Sequence, residues 1–592
     1  MKFLMVLVFL ICFSFPAPDY GNELEENLIR ELYSQKAQIR PDEVLCSVKN
    51  YLDKNESSRG YDRLTFELAA AYERLLGDRG QSLELYRKIV TRKNSLYAGL
   101  ARKQIKSVFH TGKGNPNPFS LEDTFAKIQP RNDLPLTPIK RLSLNSHAWF
   151  ARWKLISEAK KSIVFSSFLM TDDIFGFSLL GLLQKKAAEG IPVHFLLDGG
   201  NYTITHLFKG EDIFEELASN PNCKMVLYQK FTTHFPKMLK NFGYFLKNTH
   251  DKILVVDDHF AIMGGRNIGK EYFIKQGSED RVHRDCDVFM QGKFICKELK
   301  KAFYEEFNRP KNKIIQKDKI NLKSPKNFLQ LSWKMMDNFL HHREPPDFSE
   351  EKLSKKERKL LQSWKGEMEH YSNLKKFHEF NLEENLRQLP VKIIDQHSIV
   401  GTRDDIRGNL ISFIDGAKKE IIIQSLWVLL TDWAYAALKR ASQRGVDILI
   451  HTNGATSTNY NLSFAFLVKD WVQLKKDMPT LRLFIGKGPR SYLHGKVYIF
   501  DSTITLIGSY NLDPLSDWVN SEITSVTKDE EFATETRTRI LKDIETLTHE
   551  YILKTHPDGS TEVIFGPEQH FDEKTLKKLE FISRFEWLRK YL

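Results

Sequence analysis

Short runs of β-branched and aromatic residues alternate along this chain with longer stretches whose apolar residues recur at three- and four-residue steps, and the order repeats. From Leu144 the pattern predicts a helix over His147–Ala159 and a strand over Ser162–Phe168. It then predicts a helix over Phe177–Glu189 closed by Gly190, and strands over Pro192–Leu197 and Lys224–Tyr228. Further on it predicts a strand over Glu420–Leu426, a helix over Trp433–Arg444 closed by Gly445, and strands over Val446–His451 and Leu481–Ile485. Each series ends in a hairpin. Ile253–Val256 and Phe260–Met263 flank the turn Asp257-Asp258; Val497–Phe500 and Ile504–Ile507 flank Asp501-Ser502. Strands alternating with helices imply βαβ units. The expected fold class is α/β: two domains with mixed, largely parallel sheets, packed side by side as a pseudo-dimer.

The flanking regions read differently. Met1-Lys2, the apolar run Phe3–Phe15 and Pro16-Ala17-Pro18 have the shape of a secretory signal peptide, placed at 1–18. Residues 22–135 read as an α-helical N-terminal domain of tetratricopeptide-like pattern, with Leu64–Leu76, Gln81–Thr91 and Leu96–Phe109 amphipathic. Its expected role is packing, and no protein partner for it is named by the sequence. The repeated halves are placed at 144–308 and 391–592. Between them, 309–390 reads as a basic, charged, helical insertion, solvated at the surface, with seven Lys or Arg between Arg309 and Lys326. The tail from about Glu531 reads as alternating helical runs.

The two hairpins carry the candidate chemistry. Thr249-His250-Asp251-Lys252 leads to Asp257, and Leu493-His494-Gly495-Lys496 leads to Asp501: both are H-x-K-x4-D. Seven positions past each aspartate comes G-[GS]-x-N, as Gly264-Gly265-Arg266-Asn267 and Gly508-Ser509-Tyr510-Asn511. Alternate residues of a strand share a face, so His250 lies with Lys252 and His494 with Lys496, a pairing suited to a phosphate. Asp257 and Asp501 belong to the candidate catalytic set as motif residues, although their position in a turn reads first as structural.

These residues resemble the two motifs of the phospholipase D superfamily. The tails GGRNIGKEYF (Gly264–Phe273) and GSYNLDPLS (Gly508–Ser516) are similar to those of bacterial cardiolipin synthases. The resemblance runs from about Leu144 to the C-terminus. It implies phosphodiester cleavage through a phosphohistidine, without a cofactor or metal, with His250 as nucleophile and His494 as acid and base. The residues alone treat the two histidines as equivalent. Lys252 and Lys496 would clamp the phosphate, and Asn267 and Asn511 would add donors. In the family a downstream carboxylate orients the histidine. Glu522 fills that place in the second half, and Asp287 aligns with it in the first, with Asp285 opposite Asn520. Asp251 departs from the family pattern by adding a carboxyl group inside the first motif.

Composition adds direction. A net charge of +12 favours an anionic partner: a phospholipid at an anionic membrane surface, or nucleic acid. No pair among the five cysteines is spaced as CxxC, so a zinc site is not indicated. Cys46, Cys223, Cys286 and Cys296 allow two disulfides in an exported protein or none. The leading expectation is therefore a phospholipase D-type phosphatidyltransferase, exported to the periplasm or beyond and peripheral on a membrane. Trp427, Trp433 and Tyr492 are candidates for an acyl-chain entrance, with core packing the plainer reading of each. A metal-independent endonuclease is the first alternative. A non-catalytic scaffold, binding partners through the N-terminal helices, is the second.

Overall fold

The computed structural model describes residues 23–591, apart from 102–119, 129–134, 200–212, 229–247, 316–326, 397–404 and isolated positions. The expected signal peptide, most of the helix expected over Leu96–Phe109 and part of the lysine-rich stretch lie outside the described residues.

The first half contributes β1 (Leu136–Leu142), β2 (Ile163–Ser167), β3 (Val193–Asp198), β4 (Cys223–Tyr228), β5 (Ile253–Val256), β6 (Phe260–Gly264), β7 (Asp287–Gln291) and the short β8 (Lys313–Ile314). The long β9 (Arg387–Gln396) follows. The second half contributes β10 (Glu420–Gln424), β11 (Asp447–Thr452), β12 (Leu481–Gly486), β13 (Val497–Phe500), β14 (Ile504–Gly508), β15 (Glu522–Lys528), β16 (Thr548–Thr555) and β17 (Thr561–Phe565). Pairing runs β8-β4-β3-β2-β5-β6-β7-β1-β9 in the first sheet. It continues β9-β15-β14-β13-β10-β11-β12-β16-β17 in the second. The strand β9 joins the two, pairing with β1 through Arg387–Pro390 and with β15 through Val391–Gln396.

The sheets are mixed, and the parallel share is smaller than expected. Helical crossovers make β2-β3-β4 and β10-β11-β12 parallel. The motif hairpins, and the strands β7 and β15 that follow them, add antiparallel neighbours. Those two strands were not anticipated, yet each begins beside a candidate site residue.

Alternation along the strands builds three apolar layers. Ile253 and Val255 of β5 face the same interior as Val497 and Ile499 of β13, together with the helices Lys293–Phe307 and Glu530–Leu547. Leu254 and Val256 face the outer helices of the first half. Ile421 and Ile423 face those of the second half, and the N-terminal helices Glu23–Leu32, Pro41–Lys54 and Tyr61–Ala71 share that core.

Two regional expectations are corrected. Part of the stretch 309–390 departs from the expected solvated insertion. Its helix Phe328–Leu340 buries Leu331, Met335 and Met336 against the helix Ile174–Ala188. The helices approach so closely at Gly181 that a Cβ there would lie 2.1 Å from the carbonyl oxygen of Leu329. The helix is itself largely apolar, with Lys334 and Asp337 its charged residues, and charged stretches flank it on both sides. The tail contains the β16-β17 hairpin before its last helices, where helical runs were expected. Cys46, Cys223, Cys286 and Cys296 are free. Among the described residues no helix is long and apolar enough to cross a membrane.

Candidate active site

Both motif histidines lie where the two halves meet, and the halves exchange backbone there. Thr249 bridges Ser521, and Leu493 bridges Arg284. The His250 N–H donates to the Ser521 carbonyl at 3.2 Å, and the His494 N–H donates to that of Arg284 at 2.7 Å. Each bridge sets a histidine beside the carboxylate of the opposite half. His250 Nδ1 lies 2.9 Å from both carboxylate oxygens of Glu522. His494 Nδ1 lies 2.6 Å from Asp285 Oδ2. A carboxylate on Nδ1 holds the proton there and leaves Nε2 free as base or nucleophile.

This corrects the placement of Asp287. Its carboxylate instead binds two buried guanidinium groups, Arg266 at 3.1 Å and Arg152 at 2.9 Å. The register explains the difference: 284 opposite 493 brings residue 285, not 287, level with His494. The extra residues after Tyr272 had spoiled the count from the motif. Arg266 also donates to the carbonyls of Leu142, Ser143 and Asp285, so Asp287 anchors the arginine that fixes the backbone carrying Asp285.

The G-[GS]-x-N tails acquire a physical reason. A Cβ on Gly265 would lie 2.2 Å from Asp285 Oδ1, so only glycine admits that carboxylate. In the second half Ser509 occupies the same place, and its hydroxyl donates to Glu522. Asn267 donates through Nδ2 to the Tyr272 hydroxyl at 2.9 Å. Among the described residues Asn267 Oδ1 and Asn511 Oδ1 are buried with no hydrogen-bond partner; as acceptors they suit a hydroxyl group of a substrate rather than a phosphate oxygen.

The electrostatics follow from burial. His250, Lys252, His494 and Lys496 are all buried. Burial pushes Lys252 down to about 7 and Lys496 down to about 8, against the pull of Glu522 and Asp285. Burial, then Lys252, pulls His250 down to about 4 despite Glu522. His494 falls well below the ordinary imidazole range through burial and then the charges of Lys496 and Lys252. A site this rich in cationic groups waits for negative charge. An arriving phosphodiester anion reverses these shifts and lets an imidazole accept a proton.

Asp251 points to the opposite face, toward the layer between the sheets. Burial, reinforced by Asp395, Glu306 and Glu522, raises its carboxyl well above the usual range. On that face it lies away from the phosphate position set by His250 and Lys252.

Asp257 and Asp501 are not in the site. Each is five strand residues beyond its lysine, about 16 Å away. Asp257 accepts the backbone N–H groups of Lys160, Lys161 and Ser162, and Asp501 those of Lys418, Lys419 and Glu420. Both have positive φ, 56° and 49°. Asp257→Ala is expected to cost roughly 1–3 kcal/mol of stability by leaving those donors unmet. Turnover per folded molecule should stay near native; thermal melting beside initial rates checks this.

Two site residues escaped the sequence reading. The Tyr272 hydroxyl lies 3.5 Å from His494 Nε2 and its ring is perpendicular to the imidazole. His283 stacks on Tyr492 at 4.2 Å and on His494 at 5.3 Å. Tyr492 is thus a wall of the site, while Trp433 is buried and donates to Asp517. Tyr272 lies in the quoted tail Gly264–Phe273, five residues past Asn267, and His283 lies outside both motifs, two residues before Asp285. Among the described residues no cluster of His, Cys, Asp and Glu is arranged to hold a metal ion.

Comparison with known proteins finds one domain family in both halves. A family model described as "Cardiolipin synthase, PLD-like domain" matches residues 153–308 and again 410–544. Cardiolipin synthase B of Salmonella typhi is 25% identical over 388 residues, covering 64% of this chain and 74% of that protein. The crystal structure of a phosphatidylserine synthase from Haemophilus influenzae Rd KW20 is 14% identical, with a TM-score of 0.48 over 78% of this chain and 98% of the other. Nuc, a phospholipase D family member from Salmonella typhimurium, is 23% identical, with a TM-score of 0.22 over 27% of this chain and 98% of its own. Two α/β domains that pool their histidines and carboxylates at one interface define the class. The chain belongs to the phospholipase D superfamily, as an enzyme similar to cardiolipin synthases.

Proposed function

We propose that this chain transfers a phosphatidyl group between alcohols, in the manner its cardiolipin synthase relatives suggest. One observation carries the chemistry: two buried imidazoles, each tied at Nδ1 to a carboxylate of the opposite half, flanked by two lysines. His250 Nε2 attacks phosphorus, and the bond from phosphorus to the leaving alcohol oxygen breaks. His494, charged in the field of the bound phosphate, protonates that oxygen. His494 then takes the proton of an acceptor hydroxyl, whose oxygen displaces His250 from phosphorus. Lys252 and Lys496 hold the equatorial oxygens throughout.

Product analysis tests the reading. The protein is incubated with mixed phosphatidylethanolamine–phosphatidylglycerol vesicles in EDTA and the lipids are resolved by mass spectrometry, beside His494→Ala. Cardiolipin is the expected product. Phosphatidic acid alone would assign hydrolysis instead. Cleavage of DNA with no lipid product would transfer the site to the nuclease reading. No turnover of either would favour a scaffold.

The pH dependence follows from the same groups. In the free enzyme Lys252 loses its proton as pH rises through about 7 and Lys496 through about 8, so kcat/KM should decline across that window. On the acid side His250 is protonated only below about 4, so activity should hold down to that region. Lys252→Arg, which stays charged, should shift the alkaline decline upward. An unmoved alkaline limb would remove Lys252 from the phosphate clamp.

A further inference from the structure

The N-terminal helices lie outside both matched domains, yet one of their carboxylates reaches the tail of the second motif. Glu67, in the helix Tyr61–Ala71, accepts from the Tyr33 hydroxyl at 2.6 Å and from Arg407 Nη1 at 3.1 Å. Arg407 turns its other edge to Asp517, with Nε to Oδ1 and Nη2 to Oδ2 both at 3.0 Å. All three charged groups are at least nine-tenths buried, with Arg407 5%, Glu67 2% and Asp517 2% exposed. Asp517 also accepts from Trp433 Nε1 at 3.1 Å.

From Asp517 the connection to the site is short. The Asp517 N–H donates to the Asp513 carbonyl, and the Ser516 N–H to Asp513 Oδ1 at 2.8 Å. The Ser516 hydroxyl in turn accepts the N–H of Asn511 at 3.1 Å. One turn of chain thus runs from the buried arginine to the asparagine whose Oδ1 has no partner. The first half is built differently. There Asp173 of the same half accepts the N–H of Lys270 at 2.6 Å, within the tail that carries Asn267. The second loop leans on a domain that the first loop does without.

The geometry points to Glu67 as a positioning residue: through Arg407 and Asp517, the N-terminal helical domain holds the 511–517 loop and hence Asn511 in place. A bidentate guanidinium–carboxylate pair fixes both distance and angle. Removing one carboxylate of a buried pair leaves the guanidinium less constrained at the edge that faces the loop.

Hydrogen exchange of the full chain, read by mass spectrometry, tests this without reference to activity. In Glu67→Ala, peptides covering 508–518 should exchange about tenfold faster than in the wild type, while 264–273 should not change. Glu67→Gln, which keeps an acceptor but not the charge, should give a smaller factor of about threefold and serves if the alanine variant does not fold. Glu26→Gln, which weakens the Glu26–Arg63 pair inside the N-terminal domain at 2.6 Å, should leave 508–518 unchanged. An unchanged 508–518 segment in both Glu67 variants would overturn the inference. So would uniform loosening of the second half, or an equal effect of Glu26→Gln. The kinetic arm rests on the transfer reading: kcat should fall about tenfold with KM unchanged. If the wild type turns over no phosphodiester, that reading fails alone and the exchange result still decides the role of Glu67.

Discussion

Replacing His250 or His494 by asparagine leaves a folded protein whose turnover falls by about 10⁴-fold or more. Both rings are buried and neutral, so their loss strands no charge of their own. The two variants separate when the leaving group is changed. A p-nitrophenyl phosphodiester needs no proton on departure, so His494→Asn should still release about one equivalent of nitrophenol and stall as a phosphohistidine. His250→Asn should release none, because it lacks the attacking nitrogen. A burst from His250→Asn and none from His494→Asn would exchange the two roles. Near-native turnover from either would sink the covalent mechanism.

Much of the repeated α/β halves is legible because hydrophobic period and a doubled motif agree, although the helices Asp405–Gly416 and Leu462–Asp477 were not expected. Phe177–Glu189 was expected and Ile174–Ala188 is observed; Val497–Phe500 matches at both ends. What escaped was set by tertiary pairing rather than local pattern. The strands β7 and β15 contain mixed polar residues such as Gln291, Thr524 and Ser525, which read as loop until a neighbouring strand covers them. The helix Phe328–Leu340, itself largely apolar, lies between the lysine-rich run 309–326 and the charged stretch from Glu350, and it packs in the gap left at Gly181.

The site was legible in its types and less so in its partners. His250 lies with Lys252 and His494 with Lys496 because strand parity fixes each pair, while Asn267 and Asn511 follow in the turns after β6 and β14. The carboxylates are fixed by a contact between halves, and no count along one half can find such a contact. Glu522 holds as an orienting carboxylate, but the ring it orients is His250 of the first half and not His494 of its own motif. Asp285 was displaced by two positions, although the same reading had placed it next to the chosen Asp287. Asp251 is expected to add charge beside the phosphate; parity turns it to the other face, where burial raises its carboxyl above the usual range.

The exchange of carboxylates between halves has the second largest predicted consequence. In Glu522→Gln and Asp285→Asn the amide can present its NH₂ to Nδ1, which moves the imidazole proton to Nε2 and blocks the reacting nitrogen. A loss of about 10³- to 10⁴-fold in kcat is expected for each, with little change in melting temperature. The steps affected should differ. Glu522→Gln disables the ring that attacks, so no phosphohistidine accumulates, even with a nitrophenyl substrate. Asp285→Asn disables the ring that moves the proton, so that substrate should still give its burst. Asp287→Asn supplies the contrast: it weakens the pairing of Arg266 and Arg152 and should cost roughly 3–5 kcal/mol of stability. Its kcat, measured well below the melting temperature, should stay within about tenfold of native, since Asp285 still faces His494. If Asp287→Asn instead matched the kinetic loss of Asp285→Asn while melting normally, the carboxylate that orients His494 would be Asp287, and the register that places Asp285 beside it would be wrong.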